Sequence, residues 1–144
     1  MGFFGTNALW ITDLNLLVQI TAFFLVIVAL VFKTKGKFKN HGSMMGVAVF
    51  LHFLTFLIAM GPSFVGGFTF LTTETILVGV QTLWVHIISG ALSLVLGLYL
   101  VLAWVPKLSN VKPCFGRKRI MDITIFSWAI SLIFGIASYI AFFV

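Results

Sequence analysis

The stretch from Thr75 to Val105 carries no Asp, Glu, Lys or Arg, and it constrains the fold more than any other feature of the chain. About 20 apolar residues cross the hydrocarbon of a bilayer as a helix, at about 1.5 Å of rise each. This run exceeds that length and is built mainly of Leu, Val and Ile. Thr82, His86, Ser89, Gly90, Ser93 and Gly97 recur within it at helical spacing. A small and polar stripe on such a cylinder faces other helices rather than lipid tails. This one carries a single ionisable ring.

Three more apolar runs accompany it. The predicted spans cover residues 14–32, 42–60, 75–105 and 121–143, which makes an all-α, integral membrane four-helix transmembrane bundle in one domain, 1–144. Composition agrees: the chain is 61% hydrophobic and 8% charged, against roughly a quarter charged for soluble domains. Gly61-Pro62 reads as a stop for the second span. The segment 61–74, rich in Gly and Phe, is then a loop lying on the membrane surface or against a partner. The first residues lack the basic start and small-residue cleavage pattern of a signal peptide, so the first apolar run is expected to remain as a helix. Cys114 is the only cysteine, which excludes an intramolecular disulfide and any Cys-x-x-Cys site.

The net charge of +6 is concentrated in two loops. Lys33, Lys35, Lys37 and Lys39 occupy one, and Lys107, Lys112, Arg117, Lys118 and Arg119 occupy the other. The positive-inside rule places loops 33–40 and 106–119 in the cytoplasm and both termini outside, N-out/C-out, in the cell membrane. The inner side then carries +8, nine cations less Asp122, and the outer side −2 from Asp13 and Glu74. Anionic lipid headgroups or another integral membrane subunit suit such loops. Nucleic acid does not. By these boundaries no carboxylate lies inside a span. There is no nucleotide loop, Ser/His/Asp set or paired carboxylate, and no residue is assigned as catalytic.

Asn15 and Gln19 stand four residues apart near the outer end of the first span. They either hydrogen-bond a neighbouring helix or form part of an outward-facing polar site. His41, at the mouth of the second span, and His52 are 11 positions apart, about three turns, so they share a face with Met45 nearby. His52 is expected about 12 Å below the outer edge of span two, and His86 about 15 Å below that of span three. The two rings thus reach similar depth on consecutive helices. Ionisable groups at that depth are functional candidates.

Three uses are open to them. His52 and His86 could bind the iron of one b-type haem, making an electron carrier between a lipid-soluble quinone and a partner. His41, His52, His86 and Met45 could bind copper through imidazole and thioether. Alternatively, the histidines serve only as neutral hydrogen-bond partners between helices. In span four, Ser127, Ser131, Gly135 and Ser138 form a second small-residue stripe, for contact within the bundle or with another subunit.

The segment Lys39-Asn40-His41-Gly42-Ser43-Met44-Met45 resembles the His-x-x-x-Met helix entry of small membrane proteins of the CtaM/YozB type. The span bearing His86 is similar to that family's His-bearing helix. Ser127-Trp128 through Gly135 to Tyr139 is similar to its final helix. This chain departs from the pattern with Arg117-Lys118-Arg119 in place of a loop histidine, with Phe134 in place of a threonine, and with His52 as an addition. The resemblance covers about residues 15–144. It implies a small accessory subunit or assembly factor of a haem-copper or copper oxidase complex, not a catalyst on its own. A one-haem membrane cytochrome and a cofactor-free structural subunit are the alternatives.

Overall fold

The computed structural model describes residues 2, 4–105 and 116–144. Among these residues five α-helices follow in order: α1 (Trp10–Thr34), α2 (Phe38–Thr55), α3 (Gly61–Thr73), α4 (Val78–Trp104) and α5 (Lys118–Phe143). A widened helical turn, Phe56–Met60, joins α2 to α3 without a break. Four continuous helical segments, α1, α2 through α3, α4 and α5, are each long and apolar enough to cross a membrane. The chain is therefore an all-helical transmembrane four-helix bundle. Both termini share one end: Asn7 donates its N–H to the Phe143 carbonyl, and Thr6 meets Tyr139.

Each turn has a local cause. Gly36 adopts a φ of +69°, which only a residue without a Cβ takes readily. The Gly36 N–H reaches the Lys33 carbonyl and the Lys37 N–H the Phe32 carbonyl. This paired closure of a helix C-terminus reverses the chain within a few residues, so α1 and α2 become an antiparallel hairpin, as loop length predicts. The α4–α5 connection lies mostly within residues 106–115, outside the described residues. The basic residues Lys107 and Lys112 fall there, as does Cys114.

Gly61-Pro62 does not end the second helix, contrary to the sequence reading. The Gly61 N–H bonds to the carbonyl of Phe56, five residues back. The widened turn accommodates Pro62, which has no N–H to donate and whose ring crowds the preceding turn of a regular helix. A Cβ at Gly61 would lie 3.0 Å from that same carbonyl oxygen, so glycine permits the close approach. The expected loop 61–74 is consequently helix over Gly61–Thr73. It covers the end of the bundle that carries the termini, with Phe64 edge-on to Trp84 and Phe70 edge-on to Phe142.

The bundle is two hairpins. In α1–α2, Ala22, Val26 and Ala29 pack against Met45, Ala48 and Val49, and Trp128 of α5 closes this core. In α4–α5 the two small-residue stripes face one another. A Cβ at Gly90 would fall 2.9 Å from Ser131 Oγ, and one at Gly135 would fall 2.8 Å from His86 Nδ1. Ser138 Oγ donates to Thr82 Oγ1 at 3.0 Å. Both stripes are thus used inside the chain. Without a hydrophobic drive between helices in lipid, such close backbone approach is what holds a hairpin together.

Candidate functional site

Polar side chains gather where the two hairpins meet. The hydrogen-bond directions around His52 can be assigned from the fixed partners. Thr55 Oγ1 donates to the backbone carbonyls of Leu51 and His52, so it must accept from the amide nitrogen of Gln19. That orients Gln19 Oε1 toward His52, whose Nδ1–H donates to it at 2.8 Å. His52 Nε2 then stands 3.5 Å from both the Gly90 carbonyl oxygen and Ser93 Oγ on α4. The imidazole also lies against the Trp128 indole, with ring centroids 4.7 Å apart. His52, Gln19 and Trp128 are all buried.

His86 is tied to the other helix of its own hairpin. Its Nδ1–H donates to the Ser131 carbonyl oxygen at 2.8 Å, and Ser131 Oγ returns a bond to the His86 carbonyl at 3.1 Å. A carbonyl only accepts, so Nδ1 carries the proton and Nε2 of the neutral ring is an acceptor. Among the described residues that nitrogen has no hydrogen-bond partner.

Equal depth does not make the two histidines partners. His52 reaches α4 at Gly90, one turn beyond His86, and no hydrogen bond joins the rings. A haem held by both would need an iron and its macrocycle in front of His52 Nε2, where a backbone carbonyl and Ser93 Oγ stand. The residues present do not fit a bis-histidine haem in this arrangement. His41 is buried near the basic end, with Nδ1 2.9 Å from the Ala29 carbonyl oxygen, and Met45 packs in the α1–α2 core. His41 and His52 are separated by about 16 Å along one helix. Among the described residues no group of three or more His, Cys, Asp or Glu is placed to hold a metal ion.

The structure adds a cavity of about 340 Å³ at the termini end of the seam. One wall is α1, with Thr12, Asn15 and Gln19; the other is α4 and α5, with His86, Ser131 and Ser138. Ser63, Phe64 and Gly67 of α3 form its cover. The lining is mainly apolar with a few convergent polar groups, the usual composition of a small-molecule site. Asn15 and Gln19 both line this cavity, and Gln19 hydrogen-bonds Thr55 and His52 of the neighbouring helix, the first of the two sequence readings. Two buried polar atoms lack a partner among the described residues, Asn15 Oδ1 and Trp128 Nε1.

Sequence reading missed Asp13. It lies in the first turn of α1, fully buried, and not in an exposed segment ahead of the span. Tyr139 O–H donates to its Oδ1 at 2.6 Å, and the Phe4 N–H reaches Oδ2 at 3.3 Å. Because the Tyr139 proton is committed to Asp13, Thr6 Oγ1 is the donor in the 2.9 Å Thr6–Tyr139 bond. A carboxylate suits a helix N-terminus, where free backbone N–H groups concentrate positive charge. The only sequence signal was position: Asp13 stands three residues after Trp10, next to the start of the first apolar run.

Comparison of the chain with protein-family models, with curated proteins and with solved structures finds no match.

Proposed function

We propose that this chain is a small, non-catalytic subunit or assembly factor of a respiratory or oxidising membrane complex. Its contribution is to hold a lipid-soluble molecule, such as a quinone, in the seam between its hairpins. The observation that carries this reading is the cavity: an apolar chamber open to membrane-borne molecules, with His86, Asn15 and Gln19 converging on it. The His41-to-Met45 segment and the resemblance it carries point to the oxidase type of complex. The two basic loops, placed in the cytoplasm of the cell with the termini outside, give it an attachment to anionic lipid headgroups or to acidic faces of neighbouring subunits. Reversible storage or delivery requires no acid–base machinery.

The test is cross-linking in native membranes followed by mild solubilisation of the tagged chain and mass spectrometry of what accompanies it. Recovery of subunits of one redox complex is expected. Recovery of the chain with lipid alone contradicts the subunit reading.

A further inference from the structure

The walls of the cavity are not held equally. α4 and α5 meet at Gly90 and Gly135, where an added Cβ would fall 2.9 Å from Ser131 Oγ and 2.8 Å from His86 Nδ1. α1 is tied to α5 through the buried Asp13 and Tyr139, and to the second helix through Gln19. The cover, α3, is held more loosely. Leu71 is the buried residue of this helix, and Val65 and Phe68 on its outer side are exposed. A Cβ added at Gly66 or Gly67 meets no atom within 4 Å, so no other backbone approaches these glycines closely. Beyond Leu71, α3 meets the body through two edge-on ring pairs, Phe64 with Trp84 and Phe70 with Phe142. One hydrogen bond joins them: Trp84 Nε1–H donates to the Leu71 carbonyl at 3.3 Å. That carbonyl is among the last four of α3, which have no partner along the helix itself. At its other end α3 springs from the widened turn, where the Gly61 N–H reaches back to Phe56. Such turns recur at functional positions in helices, and a segment with few buried contacts is the part of a fold that opens at least cost.

We propose that α3 is a hinged lid on the cavity: it swings outward on the widened turn when Trp84 releases Leu71, and a lipid-soluble guest passes beneath it. Ser63, Phe64 and Gly67 face the cavity from α3, so movement of this one helix opens the cavity along that side. α1, α4 and α5 keep their contacts while it moves. Trp84 is the latch and does not itself line the cavity; its ring sets Phe64, which does. The latch acts on the closed lid whether the cavity is filled or not, so it governs how fast a guest exchanges and not how tightly it binds. This inference rests on the cavity being a ligand site, as in the preceding reading, and not on which complex the chain serves.

The experiment compares Trp84→Phe, which keeps a ring against Phe64 and removes the donor to Leu71, with the unaltered latch in the detergent-purified full chain. The first readout needs no guest. In a Cys114→Ser background, N-ethylmaleimide labels Ser138→Cys, a buried position on the cavity wall. Trp84→Phe should speed that labelling roughly fivefold, the equilibrium worth of one hydrogen bond. Labelling of Thr124→Cys, buried on the same helix but outside the cavity lining, should keep its rate. The second readout is stopped-flow binding of a decyl-substituted benzoquinone to the chain with its native cysteine. Association and release should quicken by the same factor in Trp84→Phe, with Kd unchanged. Equal labelling of Ser138→Cys with and without the latch overturns the proposal, and so does faster labelling at both positions, which reports loosening of the whole bundle. A weaker Kd at an unchanged association rate also overturns it, because Trp84 then belongs to the wall of the site. Failure of the wild-type chain to bind the quinone counts against the ligand reading of the cavity, and the labelling rates then decide the lid by themselves.

Discussion

Gln19 is the residue on which the polar seam turns. Its amide oxygen receives the His52 proton and its nitrogen satisfies Thr55, so one side chain of α1 fixes the tautomer of a ring on α2. Replacing Gln19 with leucine removes both bonds and leaves a buried imidazole N–H without an acceptor. Such orphaned groups cost about 1–3 kcal/mol, so Gln19→Leu should melt several degrees below wild type in one detergent. An unchanged melting temperature would mean that the amide is not what anchors His52. Part of this was readable beforehand. The spacing of Asn15 and Gln19 and the depths of His52 and His86 follow from 1.5 Å per residue, and the structure brings these residues to one end of the seam. Their partners did not follow. Ser131 was readable as a small residue but not as the backbone acceptor of His86, and the bond between Asp13 and Tyr139 joins positions 126 apart, which no local pattern encodes.

The helical elements show why a breaker signal depends on its surroundings. Pro62 would end a regular α-helix, but the five-residue reach of the Gly61 N–H to Phe56 opens the turn that precedes it. The chain keeps its helical hydrogen bonding through a region where lipid offers none. The outcome is α3, which carries Trp84's hydrogen-bond acceptor, the Leu71 carbonyl at 3.3 Å, and roofs the cavity. Gly61→Val places a branched side chain against the Phe56 oxygen, and the widened turn must distort. Hydrogen exchange across residues 61–73 should then quicken at least tenfold while α1 and α5 are unaffected. Unaltered exchange in α3 would show that the turn tolerates a side chain there. The small-residue stripes of α4 and α5 were legible as contact faces. That each is the other's partner required knowing that α4 and α5 form one hairpin.

At the scale of the whole molecule, two hairpins with different cements meet along a polar seam. The α1–α2 pair is packed by Ala, Val and Met, and the α4–α5 pair by glycine and serine approach with backbone-directed hydrogen bonds. Because the stripes are consumed within the chain, the proposed contact with another subunit would use the remaining surfaces: the apolar outer faces, α3 and the basic end. The charge asymmetry makes orientation a separate prediction. A membrane-impermeant maleimide should label Cys114, in the basic loop of the sequence, only when the cytoplasmic side is opened, and labelling of intact cells would invert the topology. The central claim is that the seam holds a lipid-soluble guest, and native mass spectrometry of the detergent-released chain tests it most directly. Wild type should carry one small-molecule adduct on its 15.9 kDa. Gly67→Trp should lose the adduct: this position lines the cavity, and an added Cβ there meets no atom within 4 Å. Bare wild-type protein, or an adduct that survives in Gly67→Trp, would contradict the account.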